Sequence, residues 1–147
     1  MDQEYSFNLT QFKLLEKIGS GTFGNVYKAK IDSGEIYAAK IFKQLLEEED
    51  NLTENIRNLV REVNILSKIH HPSIIKFVGF SPKYFEGNLR PVLIMEYIPK
   101  GTLKYLIDLE RSGNSDIRWD DTRKLICIYG IASALSFLHS HNIIHRD

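Results

Sequence analysis

Three of the nine glycines fall within six residues, Gly19, Gly21 and Gly24, in the run Ile18-Gly-Ser-Gly-Thr-Phe-Gly-Asn-Val26. Glycine lets a backbone turn sharply and approach a ligand closely, but the flanking elements decide what such a cluster can serve. Upstream, Phe12, Leu14 and Ile18 keep even spacing, which suits a strand. Downstream come Val26 to Ile31, the turn signal Asp32-Ser33-Gly34, and the apolar run Ile36 to Phe42. This pattern predicts three antiparallel strands with a glycine-rich first hairpin. A dinucleotide-binding loop would instead run into a helix whose N-terminus holds the pyrophosphate. A Walker-type loop would end in Gly-Lys-Ser/Thr, whereas Asn25 follows Gly24. Taken alone, the run is equally well read as a structural glycine hairpin.

The remaining chain alternates short strands and helices. Asn51 is a candidate helix cap, with Glu54 completing a capping box, after the acidic loop Glu47 to Asp50. A helix from about Leu52 to Ile69 follows, with Ile56, Leu59, Val60, Val63, Leu66 and Ile69 on one arc and Arg57, Arg61, Asn64 and Lys68 opposite. His71-Pro72 ends it. Ile74 to Phe80 and Pro91 to Tyr97 read as two more strands, joined by a loop containing Gly87-Asn88. Pro99-Lys-Gly101 is a break, Thr102 caps a short helix to about Glu110, and Asp120 caps a long helix to about His139.

Charge and cysteine content then narrow the classes. Lys and Arg number 19, as do Asp and Glu, so the formal charge is zero. That argues against a nucleic-acid partner or a polybasic membrane surface. The lone Cys127 excludes an internal disulfide and a cysteine-rich zinc site. Leu125 to Leu138 is too short to span a bilayer, and the acidic opening Met1-Asp2-Gln3-Glu4, with no apolar run, leads us to expect no signal peptide. A cytoplasmic location is expected.

Two charges sit where apolar residues belong. Lys40 interrupts the strand Tyr37-Ala-Ala-Lys-Ile-Phe42, and Glu62 falls inside the apolar arc of the helix, between Leu66 and Ile69. Burying either charge alone is costly. Each by itself is commonly a snorkelling side chain; together they predict an ion pair across a sheet–helix interface, with the lysine available to a phosphate.

This set resembles the start of a eukaryotic protein kinase domain. Gly19 to Val26 resembles the Gly-rich loop, Tyr37-Ala-Ala-Lys40 the Val-Ala-Ile-Lys strand, and Glu62 the helix C glutamate. Ile94-Met-Glu-Tyr-Ile98 resembles the hinge, and His145-Arg-Asp147 the opening of the catalytic loop. The resemblance covers about Phe12 to Asp147 and implies an α+β fold: a small lobe of five antiparallel strands plus one helix, then the first helices of a helical large lobe. The division expected is an N-terminal extension over 1–11, small lobe and hinge over 12–98, and an incomplete large lobe over 99–147.

The resemblance also implies ATP as phosphoryl donor to a protein hydroxyl. Ile18, Val26 and Ala38 would sandwich the adenine, with Met95 as gatekeeper. Backbone groups of Glu96 and Ile98 would meet the adenine edge. Amides of Gly19, Ser20, Gly21, Thr22, Phe23 and Gly24 would cover the phosphates, Phe23 lying at the tip. Lys40, oriented by Glu62, would hold the α- and β-phosphates, and Asp147 would accept the hydroxyl proton. Thr102 stands where a ribose contact is common in the family, although helix capping accounts for it equally well. Trp119 to Leu138 is most similar to the tyrosine-kinase-like group of Ser/Thr kinases, so Ser or Thr is the expected acceptor.

The 147 residues stop at the catalytic Asp. The catalytic-loop Asn and the Asp-Phe-Gly segment, the family's Mg²⁺ ligands, are not among them, so Mg²⁺ is expected for the family but no metal site in this chain. Leu125, Ile128, Ile131, Leu135 and Leu138 share one face of the last helix, with Ile126 and Phe137 elsewhere on it. A helix apolar nearly all round calls for neighbours on every side. The expectation is therefore a kinase fragment inactive alone, the alternative being a non-catalytic nucleotide-binding or interaction module.

Overall fold

The computed structural model describes residues 9–21, 24–42, 60–81, 90–113 and 119–145. The chain forms two compact units. One runs through His70 and resumes at Ile75–Tyr97; the other comprises His71–Ile74 and everything from Ile98 onward.

The first unit is a five-stranded antiparallel sheet in the order β1-β2-β3-β5-β4. Its strands are β1 (Phe12–Ser20), β2 (Gly24–Ile31), β3 (Ile36–Phe42), β4 (Phe77–Ser81) and β5 (Val92–Glu96). The turn after β2 places Gly34 at φ +100°, a conformation that costs glycine nothing. Side chains alternate across a strand, and here the alternation sorts them into two cores. Ala29, Ala39, Ile41, Val92 and Ile94 pack on one face with Phe12 and with Leu9 from the short 3-10 turn Leu9–Gln11. Phe77, Phe80 and Leu93 pack on the other face against Val63 of α1, a helix whose described residues are 60–66.

Of the element ends that differ from the sequence reading, three have a visible cause. α1 stops at residue 66 rather than Ile69, because Lys68 N–H bonds back to the Ile65 carbonyl at 3.1 Å and tightens the last turn ahead of Pro72. The strand expected from Ile74 begins only at Phe77: Ile74 N–H closes a turn onto the His71 carbonyl, and Lys76 N–H goes to Glu96 Oε1 at 2.6 Å instead of a backbone carbonyl. β5 starts after Pro91, which has no N–H to give. The capping box at Asn51 and Glu54, the acidic run and the Gly87-Asn88 loop lie outside the described residues.

The second unit contains α2 (Leu103–Arg111) and α3 (Asp121–Ser140). Both caps fall where the sequence places them: Thr102 Oγ1 accepts from Tyr105 N–H at 3.2 Å, and Asp120 Oδ1 from Arg123 N–H at 2.8 Å. Lys124 on α3 pairs with Glu110 on α2. α3 ends in a Schellman turn. Asn142 takes a positive φ of 58°, its N–H reaching the His139 carbonyl while Ile143 N–H reaches that of Leu138. Leu138 is the one buried side chain of α3; Leu125, Ile126, Ile128 and Ile131 are each more than half exposed.

His71 belongs to this unit. Its Nδ1 accepts from Ser73 N–H at 3.1 Å, which leaves the hydrogen on Nε2, 3.2 Å from Ser133 Oγ of α3. Its ring lies on Phe137, with centroids 5.0 Å apart.

Candidate functional site

Strand register assembles the site. Val26 stands opposite Lys40, and Lys40 opposite Leu93; Lys28 stands opposite Ala38, and Ala38 opposite Met95. These two rows share the sheet face that carries α1, because Leu93 packs against Val63 there. Lys40 therefore rises beside the helix, and Glu62 immediately precedes Val63. Lys40 Nζ lies 2.6 Å from Glu62 Oε1. The pair is half-buried, with 21% and 35% of the two side chains exposed. The ammonium also sits over the Phe42 ring at 4.8 Å. An ammonium has three N–H donors; with one on Glu62, the others can meet an anion.

The candidate adenine-lining residues differ in burial. Ala38 and Met95 are buried, Val26 is half-buried and Ile18 is 43% exposed. Ile18 is the extra residue of a bulge: Lys17 pairs with Tyr27 and Gly19 with Val26, so nothing opposes Ile18 on β2. Met95 leads into Glu96, whose N–H donates to the Lys76 carbonyl at 3.0 Å and whose carboxylate accepts from Lys76 N–H. Ile98 and Thr102 belong to the helical unit, where Ile98 is about half exposed. The Thr102 oxygen is engaged in capping, which leaves its O–H as a donor.

The glycine hairpin closes through Gly21 N–H to the Gly24 carbonyl at 2.9 Å and Ser20 Oγ–H to Asn25 Oδ1 at 2.8 Å. Its three glycines are not equivalent. A Cβ on Gly24 would lie 2.3 Å from the Ile41 carbonyl oxygen, so β2 and β3 approach there as only glycine permits. A Cβ on Gly19 would make ordinary contact with Val26, and among the described residues one on Gly21 would come no nearer than 4.0 Å, to the Gly24 carbonyl oxygen. Thr22 and Phe23 at the tip, and Arg146 and Asp147 at the far end, lie outside the described residues. His145 follows the Schellman turn and is exposed.

The sequence reading passed over Lys28 and Glu16. Lys28 Nζ is 3.0 Å from Glu16 Oε1 and 5.3 Å from the Tyr97 ring centroid. No sequence signal marked them, since the contact depends on the bulge in β1.

Comparison with known proteins shows the family. Residues 12–147 match the protein kinase domain family, and the chain belongs to it. It is 36% identical over 144 residues to an Aurora kinase of Saccharomyces cerevisiae, covering 97% of this chain and 35% of that protein. It is 34% identical over 134 residues to the serine/threonine-protein kinase CTR1 of Arabidopsis thaliana, covering 90% of this chain and 15% of the relative. It is 35% identical over 133 residues to the human dual specificity testis-specific protein kinase 2, covering 90% and 20% respectively. The chain thus spans about a third or less of these relatives' lengths.

Proposed function

We propose that this chain carries the nucleotide-binding part of a Ser/Thr protein kinase, which transfers the γ-phosphoryl group of ATP to a protein hydroxyl. The observation that carries the reading is the Lys40–Glu62 pair at 2.6 Å, on the sheet face that also bears Val26, Ala38 and Met95. Glu62 holds the ammonium in place, and its remaining donors take the α- and β-phosphate oxygens. Val26, Ala38 and Ile18 supply apolar surface for the adenine, and Gly19 and Gly21, which carry no side chain, leave their backbone open to approach by phosphate. Asp147 serves as acceptor of the hydroxyl proton, by the His145-Arg-Asp motif. The name of the serine/threonine-protein kinase CTR1, one of the relatives, favours Ser or Thr as acceptor. The single cysteine favours a reducing compartment such as the cytoplasm.

Mg²⁺ supplies charge neutralisation in the family. Among the described residues, no group of three or more His, Cys, Asp or Glu is placed to hold a metal ion, so no step is assigned to it here. No helix among the described residues is long and apolar enough to cross a membrane.

Two outcomes are expected of the 147-residue polypeptide by itself. Calorimetry should find weak ATP and adenosine binding that hardly changes when Mg²⁺ is added, since the contacts named above are to adenine and to Lys40. A strong Mg²⁺ requirement would contradict that. Phosphoryl transfer should be absent, because it depends on positioning and metal neutralisation that these residues do not supply. A radiolabelled-ATP assay checks this, with an Asp147→Asn control and a chain extended by a complete large lobe. Turnover by the short polypeptide that vanishes in the control would refute it.

A further inference from the structure

We propose that Lys28 is a positioning residue for the nucleotide, tying β1 to the start of the hinge through Glu16 on one side and the Tyr97 ring on the other. This rests on the nucleotide-binding reading above. β1 departs from regular pairing twice. Leu14 pairs with Ala29 and Lys17 with Tyr27, so Leu15 and Glu16 together oppose Lys28; Ile18 is the second extra residue. A bulged strand loses ladder hydrogen bonds, so side-chain contacts take a larger share in fixing its path. Here the contact is the 3.0 Å Lys28–Glu16 ion pair, two residues before Ile18.

The same ammonium stands 5.3 Å from the centre of the Tyr97 ring, a cation–π distance. Tyr97 immediately precedes Ile98. Lys28 also stands in one row with Ala38 and Met95. One side chain thereby spans from the strand that carries Ile18 to the residue after Glu96. Both are places where the nucleotide would be gripped.

The pair is charged throughout the neutral range. A backbone hydrogen bond at Glu16, and then Lys28, hold the Glu16 carboxyl below the usual range, while Glu16 raises the Lys28 ammonium. A depressed acid contributes above its ordinary value and a raised base below its own. The tie is therefore constant between the carboxylate and ammonium ranges. The contacts are exposed enough for salt to weaken them.

The test compares the full chain with Lys28→Met, Glu16→Gln and Lys28→Arg, measuring ATP affinity, melting temperature and amide exchange across β1 and Tyr97. Lys28→Met is expected to weaken ATP binding about five-fold and to speed exchange at residues 15–19 and 97. Its melting temperature should stay within about 2 °C. Glu16→Gln should have a smaller effect in the same direction. Lys28→Arg, which keeps both the ion pair and the ring contact, should restore affinity to within about two-fold. ATP binding that is indifferent to Lys28→Met would overturn the positioning role alone. Failure of the unaltered chain to bind ATP would overturn the nucleotide-binding reading beneath it.

Discussion

In the protein with its large lobe complete, Lys40→Met is expected to lower phosphoryl transfer by about 10²–10³-fold, the usual cost of removing one preorganised charge donor from a developing anion. The loss should fall mainly on turnover, because the adenine contacts proposed for Val26, Ala38 and Met95 do not involve Lys40. Glu62→Gln should reproduce much of it. The glutamine amide cannot hold an ammonium as a carboxylate does 2.6 Å away. In a double-mutant cycle on folding stability, the pair should show coupling of about 1 kcal/mol, between the exposed and the fully buried limits, since both side chains keep some solvent contact. Additive effects, on rate and stability alike, would mean that the two charges do not act together.

Gly24→Ala should be the most damaging of the glycine substitutions, by a route unrelated to ligand. The added methyl would fall 2.3 Å from the Ile41 carbonyl oxygen and 3.1 Å from Phe42 Cα, both backbone atoms that cannot swing aside. The β2–β3 ladder must part locally, at a cost of about 3 kcal/mol or more. For a unit of this size that lowers the melting temperature by roughly 10 °C or more. Gly19→Ala and Gly21→Ala meet no such obstacle and should cost below about 1 kcal/mol. Thermal melting of the three variants separates them, and a Gly24→Ala chain melting within about 2 °C of the unaltered one would show that the ladder yields more easily than its spacing implies. Impaired nucleotide binding in the Gly19 and Gly21 variants can then be read as a ligand effect.

The fold was largely legible because its signals are local. Even spacing of apolar residues marks the strands, Thr102 and Asp120 mark the helix starts, and Glu62 betrays itself as a charge inside an apolar arc. The Lys40–Glu62 contact was legible for the same reason: each charge conflicted with its own element. Lys28 conflicted with nothing, because a lysine in a half-buried strand is ordinary. Its meaning depends on the bulge that turns Glu16 toward it, and a bulge is a property of two strands in register rather than of one sequence segment. The late start of β4 has a similar cause. Ile74 to Lys76 has strand-like composition, but the Glu96 carboxylate captures the Lys76 N–H from twenty residues away. No window of neighbouring residues contains that competition.

The histidine that joins α3 has a consequence for how the chain comes together during synthesis. His71 leaves the ribosome 62 residues ahead of Ser133. At about 5–20 residues per second, that is a wait of roughly 3–12 s. The sheet strands are all present once Tyr97 has been made, yet the segment His71–Ile74 in their midst still lacks its companion helix. All five strands are therefore made while that stretch still waits for its partners on α3, and the stacking of His71 on Phe137 can follow only after them.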